Sequence, residues 1–113
     1  MRYSDSLTVG ELMHRNVVTA RTTDKVEATY AVMLEGRFRH LPVVDAKGKL
    51  LGILSDRDLR NVLVFINEED GKKSVVGDRQ LTVEKVMTRE PMTVETDDSV
   101  RTVVKIMVKH KVG

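Results

Sequence analysis

The sequence predicts a mixed α+β protein that contains an internal repeat, of which the second copy is incomplete. Three features predict it: β-branched, apolar runs alternate with segments of helical periodicity, a glycine-containing turn joins two of the apolar runs, and a stretch near the N-terminus recurs near the C-terminus. With 113 residues, the chain is long enough for one domain or for two small subdomains that share a core.

The composition excludes several classes of function. Apolar residues make up 41% of the chain, charged residues make up 32%, and the net charge is only +2, so we expect no broad nucleic-acid-binding face. No apolar run approaches the ~20 residues that cross a bilayer, and MRYSDSLTVG lacks the apolar core of a signal peptide. The absence of cysteine excludes disulfides and zinc–thiolate sites. We therefore expect a cytoplasmic protein without membrane contact.

The first predicted elements are an arm, a short helix and a short strand. Residues 1–7 are polar and are interpreted as an arm. Thr8 and Glu11 have the spacing of a capping box, which predicts a helical turn through Met13. The β-branched run Val17–Thr19 predicts a strand.

A longer helix is predicted next. Asp24 and Glu27 again have capping-box spacing and predict its start, and Gly36 predicts its end. Its apolar residues recur at spacings of four and three, which places on one face Val26, Tyr30 and Met33.

Two strands and a tight turn form a predicted antiparallel hairpin. The first strand is Leu41–Val44, in which Pro42 is expected at the start or at an edge because proline cannot donate to a ladder. Asp45–Gly48 supplies the turn, since its glycine tolerates a positive φ, and Leu50–Leu54 is the return strand.

The hairpin leads into a predicted helix from Asp56 to Ile66. Residues 62–66 are apolar without a polar break, which indicates a helix buried on more than one side. Residues 67–80 are charged and contain two glycines, so they are predicted to be a connector.

An internal repeat relates the two ends of the chain. When the sequence is displaced by 74 residues, residues 8–33 lie on residues 82–107 without a gap. Nine positions are then identical, which indicates a duplicated structural unit. The identical pairs are Thr8/Thr82, Val9/Val83, Met13/Met87, Arg15/Arg89, Thr19/Thr93, Thr22/Thr96, Asp24/Asp98, Val26/Val100 and Met33/Met107.

The repeat predicts the domain organisation. A complete first unit with its arm spans residues 1–66, the connector spans 67–80, and the first half of a second unit spans 81–113. The second copy ends before any counterpart of the hairpin, so we expect it to lack its own polar turn.

The polar turn Ser55–Asp58 carries the clearest candidate chemistry, because it lies between an apolar strand and a helix. One interpretation is capping alone, since Ser and Asp are favoured at the N-cap and acidic residues in the first turn. The other is that Asp58 accepts hydrogen bonds from the two hydroxyls of a ribose, and that the free N–H groups of the helix favour a phosphate. The two roles are compatible.

Basic side chains flank the same turn. Arg39, His40 and Arg57 can each be solvated charges, but together beside one predicted cleft they form a reasonable anion site. His14 and His110 are too scattered to suggest a metal site. The sequence shows no nucleophile with a base and no phosphate-binding glycine loop, so we expect no catalysis and no required cofactor.

The segments TVGELMHRNVVTA, RHLPVVDAKGKLLGILSDRDL and TVEKVMTREPMTV resemble the CBS domain, a small β-α-β-β-α module named after cystathionine beta-synthase. The resemblance covers residues 8–66 and 82–113. It implies a tandem CBS-domain pair, or Bateman module, about a pseudo-two-fold axis, with the second unit truncated in this sequence. Such pairs often form homodimers, and the cleft between their units commonly binds adenosine nucleotides.

The resemblance also implies roles for individual residues. The run Gly52–Asp58 matches the binding turn of the family, which implies that Asp58 holds the ribose hydroxyls and that Ser55 contacts a phosphate or the ribose. By the same resemblance, Arg39, His40 and Arg57 fall at positions that face the phosphate of the nucleotide, and the strand near Thr19 frames its base. The implied ligand-binding residues are Val18, Thr19, Ala20, Arg39, His40, Pro42, Ser55, Arg57 and Asp58.

The expected function is therefore regulatory. The module would sense an adenosine-containing nucleotide (AMP, ADP, ATP or S-adenosylmethionine) and act by stabilising one relative orientation of its units. The alternative is a structural dimerisation module with an empty cleft, which the apolar helix predicted at residues 56–66 favours.

Overall fold

The computed structural model describes residues 7–112, so the predicted arm lies outside the described residues except for Leu7. The chain forms two compact units. The smaller unit combines the described residues up to Val17 with those from Met92 onward, and the larger unit is Val18–Pro91. The elements are α1 (Val9–Leu12), β1 (Ala20–Arg21), α2 (Val26–Gly36), β2 (His40–Val44), β3 (Leu50–Ser55), α3 (Asp56–Arg60), β4 (Val64–Asn67), β5 (Lys73–Val76), a 3-10 turn (Val83–Lys85), β6 (Thr88–Arg89) and α4 (Val100–His110).

The larger unit is organised around a four-stranded sheet in the order β1-β2-β3-β6. The predicted hairpin is confirmed, because β2 and β3 pair antiparallel and Gly48 has a φ of 82° in their turn. Strand β1 pairs in parallel with β2, but only at Val43 and Val44. Pro42 therefore lies where β2 has no neighbour in β1, which agrees with its expected edge position.

The core of the larger unit lies on one face of this sheet. Leu41 and Val43 of β2 and Leu54 of β3 are fully buried, and α2 covers them with the predicted face that contains Val26 and Met33. Full burial of one such side chain stabilises the fold by about 1.5–3 kcal/mol. The other buried members of this core are Ala20, Tyr30, Leu59, Leu63, Val83 and Met87.

The strand predicted at Val17–Thr19 is wrong in its position. Strand β1 begins at Ala20, and Val17 and Val18 are 51% and 43% exposed. The reason is pairing rather than propensity: the ladder with β2 starts at Ala20, which lies opposite Val43 and is buried.

The predicted capping box at the start of α2 is also wrong. The N-cap is Lys25, while Asp24 Oδ2 accepts a hydrogen bond from the Arg21 N–H at 2.9 Å. Glu27 Oε1 instead accepts from the N–H of Gly77 at 2.6 Å. The carboxylate that was expected to cap the helix therefore binds a residue 50 positions later in the sequence. The predicted end of the helix at Gly36 is confirmed.

The helix predicted at residues 56–66 is correct only as far as Arg60. Val64–Asn67 is strand β4, which pairs antiparallel with β5 across a turn where Gly71 has a φ of 83°. Valine, phenylalanine and isoleucine favour strands, and the apolar run was too short to distinguish the two structures. Burial on more than one side is wrong as well, since Val64, Phe65 and Ile66 are 60%, 50% and 44% exposed. The connector 67–80 contains β5.

The two copies of the repeat exchange their opening segments. In the larger unit the N–H of Val83 donates to the Asp24 carbonyl at 2.9 Å, and in the smaller unit the N–H of Val9 donates to the Asp98 carbonyl at 2.9 Å. Each bond thus joins the start of one copy to the residues just before the long helix of the other copy. The two bonds are equivalent, because Val9 and Val83, and likewise Asp24 and Asp98, are 74 residues apart. The compact units therefore cut across the sequence repeats.

The smaller unit contains the predicted short helix and the second copy's helix. Helix α1 is confirmed, with the Thr8 N–H donating to Glu11 Oε2 at 2.8 Å. Helix α4 has bounds 74 residues after those of α2, and Ser99 Oγ caps it by accepting from the Thr102 N–H at 3.1 Å.

Candidate functional site

The β2–β3 hairpin brings the predicted basic residues next to the predicted polar turn. His40, the first residue of β2, lies opposite Ser55, the last residue of β3. The N–H of Asp56 donates to the carbonyl of Arg39 at 2.9 Å, which joins the two segments just beyond the ladder. Residues that are 15 apart in sequence therefore meet at one end of the sheet.

Ser55 and Asp58 cap α3, as one of the two interpretations predicted. Ser55 Oγ accepts from the Asp58 N–H at 3.0 Å, and Asp58 Oδ2 accepts from the Ser55 N–H at 2.9 Å. This reciprocal pair is a capping box, with aspartate in the place of the usual glutamate. Asp58 Oδ1 has no hydrogen bond within residues 7–112, so one carboxylate oxygen is available to a ligand.

Two basic side chains of α3 differ in their availability. Arg60 Nη2 lies 3.6 Å from Asp56 Oδ2, four residues earlier on the helix. Arg57 is exposed and has no ion pair within the described chain, so its charge is free to meet an anion.

The predicted first-strand residues line a groove beside the same end of the sheet. Because β1 runs parallel to β2 with Ala20 opposite Val43, the residues before Ala20 run towards the His40 end. Val18 is exposed, whereas Thr19 and Ala20 line a groove of about 230 Å³. The other residues of this groove, which we call the strand groove, are Asp24, Lys25, Ala28, Thr29, Val32 and Leu41.

Two of the predicted residues lie on β2. His40 is exposed opposite Ser55, and Pro42 is half-buried opposite Ile53. All nine predicted ligand-binding residues thus belong to the larger unit.

Arg39 lines a second groove, away from the residues that line the strand groove. This groove, of about 340 Å³, lies between the end of α2 and α3, and we call it the arginine groove. The sequence did not single out Arg37 and Arg60, which share it. The i,i+4 pairing of Arg60 with Asp56 and the position of Arg37 at the end of α2 are signals only once the helices are known. The groove is lined by Tyr30, Met33, Leu34, Arg37, Phe38, Arg39, Asp56 and Arg60.

Two other kinds of site receive no support from the described part of the chain. Residues 7–112 contain no group of three or more His, Cys, Asp or Glu side chains that could hold a metal ion. In the same range, no helix combines the length and the apolar character that a membrane crossing requires.

Comparison with known proteins identifies relatives over almost the whole chain. A family model described as the CBS domain matches residues 9–65 and 83–113. A homoserine O-acetyltransferase of Methanocorpusculum labreanum is 31% identical over 107 residues, which are 95% of this chain and 19% of that protein. The chain spans about a fifth of the length of the first curated relatives, 19% and 18%.

Solved structures share the fold. The AcuB protein of Vibrio cholerae, named for acetoin utilization, has a TM-score of 0.75 and 28% identity, over 95% of this chain and 73% of that one. The CBS domain pair of the protein MJ0100, solved in complex with 5′-methylthioadenosine and S-adenosyl-L-methionine, has a TM-score of 0.70 and 26% identity, over 93% of this chain and 74% of that one.

Proposed function

The chain belongs to the CBS-domain family, with the α+β fold of a tandem pair, and we propose that its larger unit is a regulatory, non-catalytic module that binds an adenosine-containing nucleotide. AMP, ADP, ATP and S-adenosylmethionine are the candidate ligands. The proposed compartment is the cytoplasm, and a partner domain or protein would be the regulated component.

One observation carries the proposal: the hairpin register places Arg39 and His40 beside the turn that contains Asp58. An anion-binding group and a free carboxylate oxygen thus lie at the same end of the sheet. Phosphate and ribose hydroxyls, which adjoin each other in a nucleotide, need these two kinds of partner.

The proposed contacts follow from the chemistry of each group. Asp58 Oδ1 accepts from the ribose hydroxyls while Oδ2 keeps closing the cap of α3. Arg57 and His40 contact phosphate, and the base lies against Thr19 and Ala20 in the strand groove. The MJ0100 pair supports an adenosine ligand, since both molecules bound there carry adenosine.

Regulation would operate by population shift. A ligand stabilises one conformation by the difference between its affinities for the two states, and a partner protein would respond to that conformation. No reaction of the ligand is required, because binding energy alone changes the population.

Asp58 provides the sharpest test. We expect Asp58→Asn to weaken binding of the best adenosine ligand by about 10-fold or more, because it removes a charge-assisted acceptor from the ribose hydroxyls. Asparagine keeps an oxygen that can accept from the Ser55 N–H, so the cap and the fold should survive. Isothermal titration calorimetry with AMP, ATP and S-adenosylmethionine measures the effect, and thermal unfolding without ligand checks the fold.

The matched control is Asp70→Asn, which removes an equal charge from an exposed turn of the same unit. It should leave the affinity unchanged. Equal affinities of the Asp58→Asn variant and the unsubstituted protein would remove Asp58 from the site, and no heat or stabilisation with any adenosine ligand would overturn the proposal.

Dimerisation is the second candidate role. The apolar helix that favoured it from the sequence does not exist beyond Arg60, but β4 and β5 present exposed Val64, Ile66 and Val76. We propose a homodimer, which sedimentation equilibrium tests. Calorimetric titration of that dimer with AMP then separates a dimer with an empty site from one that also binds nucleotide.

A further inference from the structure

We propose that the arginine groove is a second binding site, for a small organic phosphate that carries an apolar or aromatic body. The groove shares Arg39 with the proposed nucleotide site, but neither Asp58 nor the residues of the strand groove line it. Its volume of about 340 Å³ exceeds that of the strand groove, at about 230 Å³.

The charges that line the arginine groove favour an anion. Three guanidinium groups and one carboxylate face it, and the carboxylate of Asp56 already pairs with Arg60 at 3.6 Å. Arg37 and Arg39 have no ion pair among residues 7–112, so two positive charges are uncompensated. Guanidinium groups present forked donors that match the oxygens of a phosphate.

The end of α2 holds Arg37 at the groove. Arg37 adopts a left-handed conformation with a φ of 56°, which glycine usually occupies and which is unfavourable for a residue with a Cβ. The N–H of Phe38 then donates to the Met33 carbonyl at 2.9 Å. The Phe38 ring lies so close to Gly36 that a Cβ there would be 2.1 Å from it, so the absence of a side chain at Gly36 makes room for the ring.

The remaining wall of the groove is apolar. Tyr30 and Met33 are 8% and 2% exposed, Phe38 is half-buried, and Leu34 is exposed at the rim. Inorganic phosphate alone would leave Leu34 and the exposed part of Phe38 in contact with water. A ligand with an aromatic body would cover it and would gain hydrophobic stabilisation beside the charged contacts.

The test is a titration of the uniformly 15N-labelled protein with phenyl phosphate, in a buffer without phosphate and at low ionic strength. We expect amide shifts that centre on Arg37, Phe38 and Asp56, and tighter binding of phenyl phosphate than of inorganic phosphate. Absence of these shifts at about 10 mM phenyl phosphate, where a site of millimolar affinity would be filled, would overturn the proposal.

Three substitutions distinguish the groove from general attraction to a basic surface. Arg37→Gly and Arg39→Gln should each weaken phenyl phosphate binding about fivefold or more, because each removes a charged donor. Arg37→Gly should at the same time raise the unfolding temperature, since it relieves the left-handed conformation, and a merely structural arginine would not show these opposite effects. Asp56→Asn should tighten binding, because it removes the one carboxylate that lines the groove among residues 7–112.

The matched control is Arg79→Gln, because Arg79 is exposed, belongs to the larger unit and lines neither groove. It should not alter the affinity, and an equal loss in this variant would overturn the proposal. Displacement of phenyl phosphate by an equimolar amount of AMP, read from the amide shifts of Arg37 and Phe38, would show that the groove only receives the phosphates of the nucleotide, and would also overturn it as a separate site.

Discussion

Gly52 permits a close backbone approach between β3 and β6 in the sheet of the larger unit. It lies opposite Arg89 of β6, and a Cβ at this position would be 2.6 Å from the carbonyl oxygen of Thr88 and 2.9 Å from Met87 Sδ. The Met87 side chain can move, but the Thr88 carbonyl belongs to the paired strand. We therefore expect Gly52→Ala to lower the free energy of unfolding by about 1–3 kcal/mol, through displacement of β6.

Urea unfolding followed by circular dichroism measures this loss. Gly48→Asn is the matched control, because Gly48 has a φ of 82° with nothing within 4 Å, and asparagine tolerates that conformation. A loss at Gly52 no larger than the loss at Gly48 would contradict the close approach of β6.

Among the site residues, the sequence predicted those that local rules position and missed those that tertiary packing positions. Ser55 and Asp58 are recognisable because local rules of capping place them at a strand-to-helix junction. Arg37 and Arg60 are not, because their shared groove depends on how α2 and α3 pack. The binding roles of the nine predicted ligand residues remain predictions that the proposed titrations test.

Elements were predictable where local signals and tertiary pairing agree. The β2–β3 hairpin has alternating burial and a glycine turn, and both signals lie within the segment itself. The β4–β5 hairpin has an unbroken apolar run, which fits a helix or a strand equally well. Its position depends on contacts outside the run, including the edge-to-face contact of Phe65 with Tyr30 at 5.6 Å between ring centroids.

Glu27 tethers the end of this second hairpin to α2. Its carboxylate accepts from the Gly77 N–H at 2.6 Å, directly after β5, in a partly buried contact across 50 residues of sequence. We expect Glu27→Ala to lower the free energy of unfolding by about 1–3 kcal/mol, because it leaves a partly buried N–H without its partner. Glu27→Gln should cost less, since its amide oxygen can still accept.

Hydrogen exchange at the Gly77 amide, together with urea unfolding, measures this tether. Glu35→Ala is the control on the same helix, because Glu35 is exposed and has no partner among the described residues. Unchanged protection of Gly77 in the Glu27→Ala variant would contradict the tether.

For the whole molecule, the repeat predicted the equivalence of α2 and α4 but not the exchange between copies. A displacement of 74 residues shows which residues correspond, and it contains no information on which copy each segment packs against. In the larger unit the exchange is extensive: Val83 is fully buried and Met87 is 8% exposed in a core otherwise built from the first copy. A boundary drawn at the end of the first repeat would therefore divide this core.

This exchange predicts which part of the chain folds as a unit. A fragment of residues 18–91 should unfold cooperatively, because it contains the complete larger unit. A fragment of residues 18–80 lacks Val83 and Met87, and it loses the backbone hydrogen bonds that join Val26 to Leu81 and Asp24 to Val83. Removing two core side chains costs about 2 kcal/mol or more for each, which is a large fraction of the stability of so small a domain.

Circular dichroism in a urea titration separates the two fragments. We expect a sigmoidal transition for residues 18–91, and little or no cooperative transition for residues 18–80. In the intact chain, Val83→Ala should reproduce part of the loss, because Val83 is 0% exposed and the substitution removes its side chain while the backbone hydrogen bond to Asp24 remains. Equal stability of the two fragments would show that the first copy folds alone and that the exchanged segment packs on a core that is already complete.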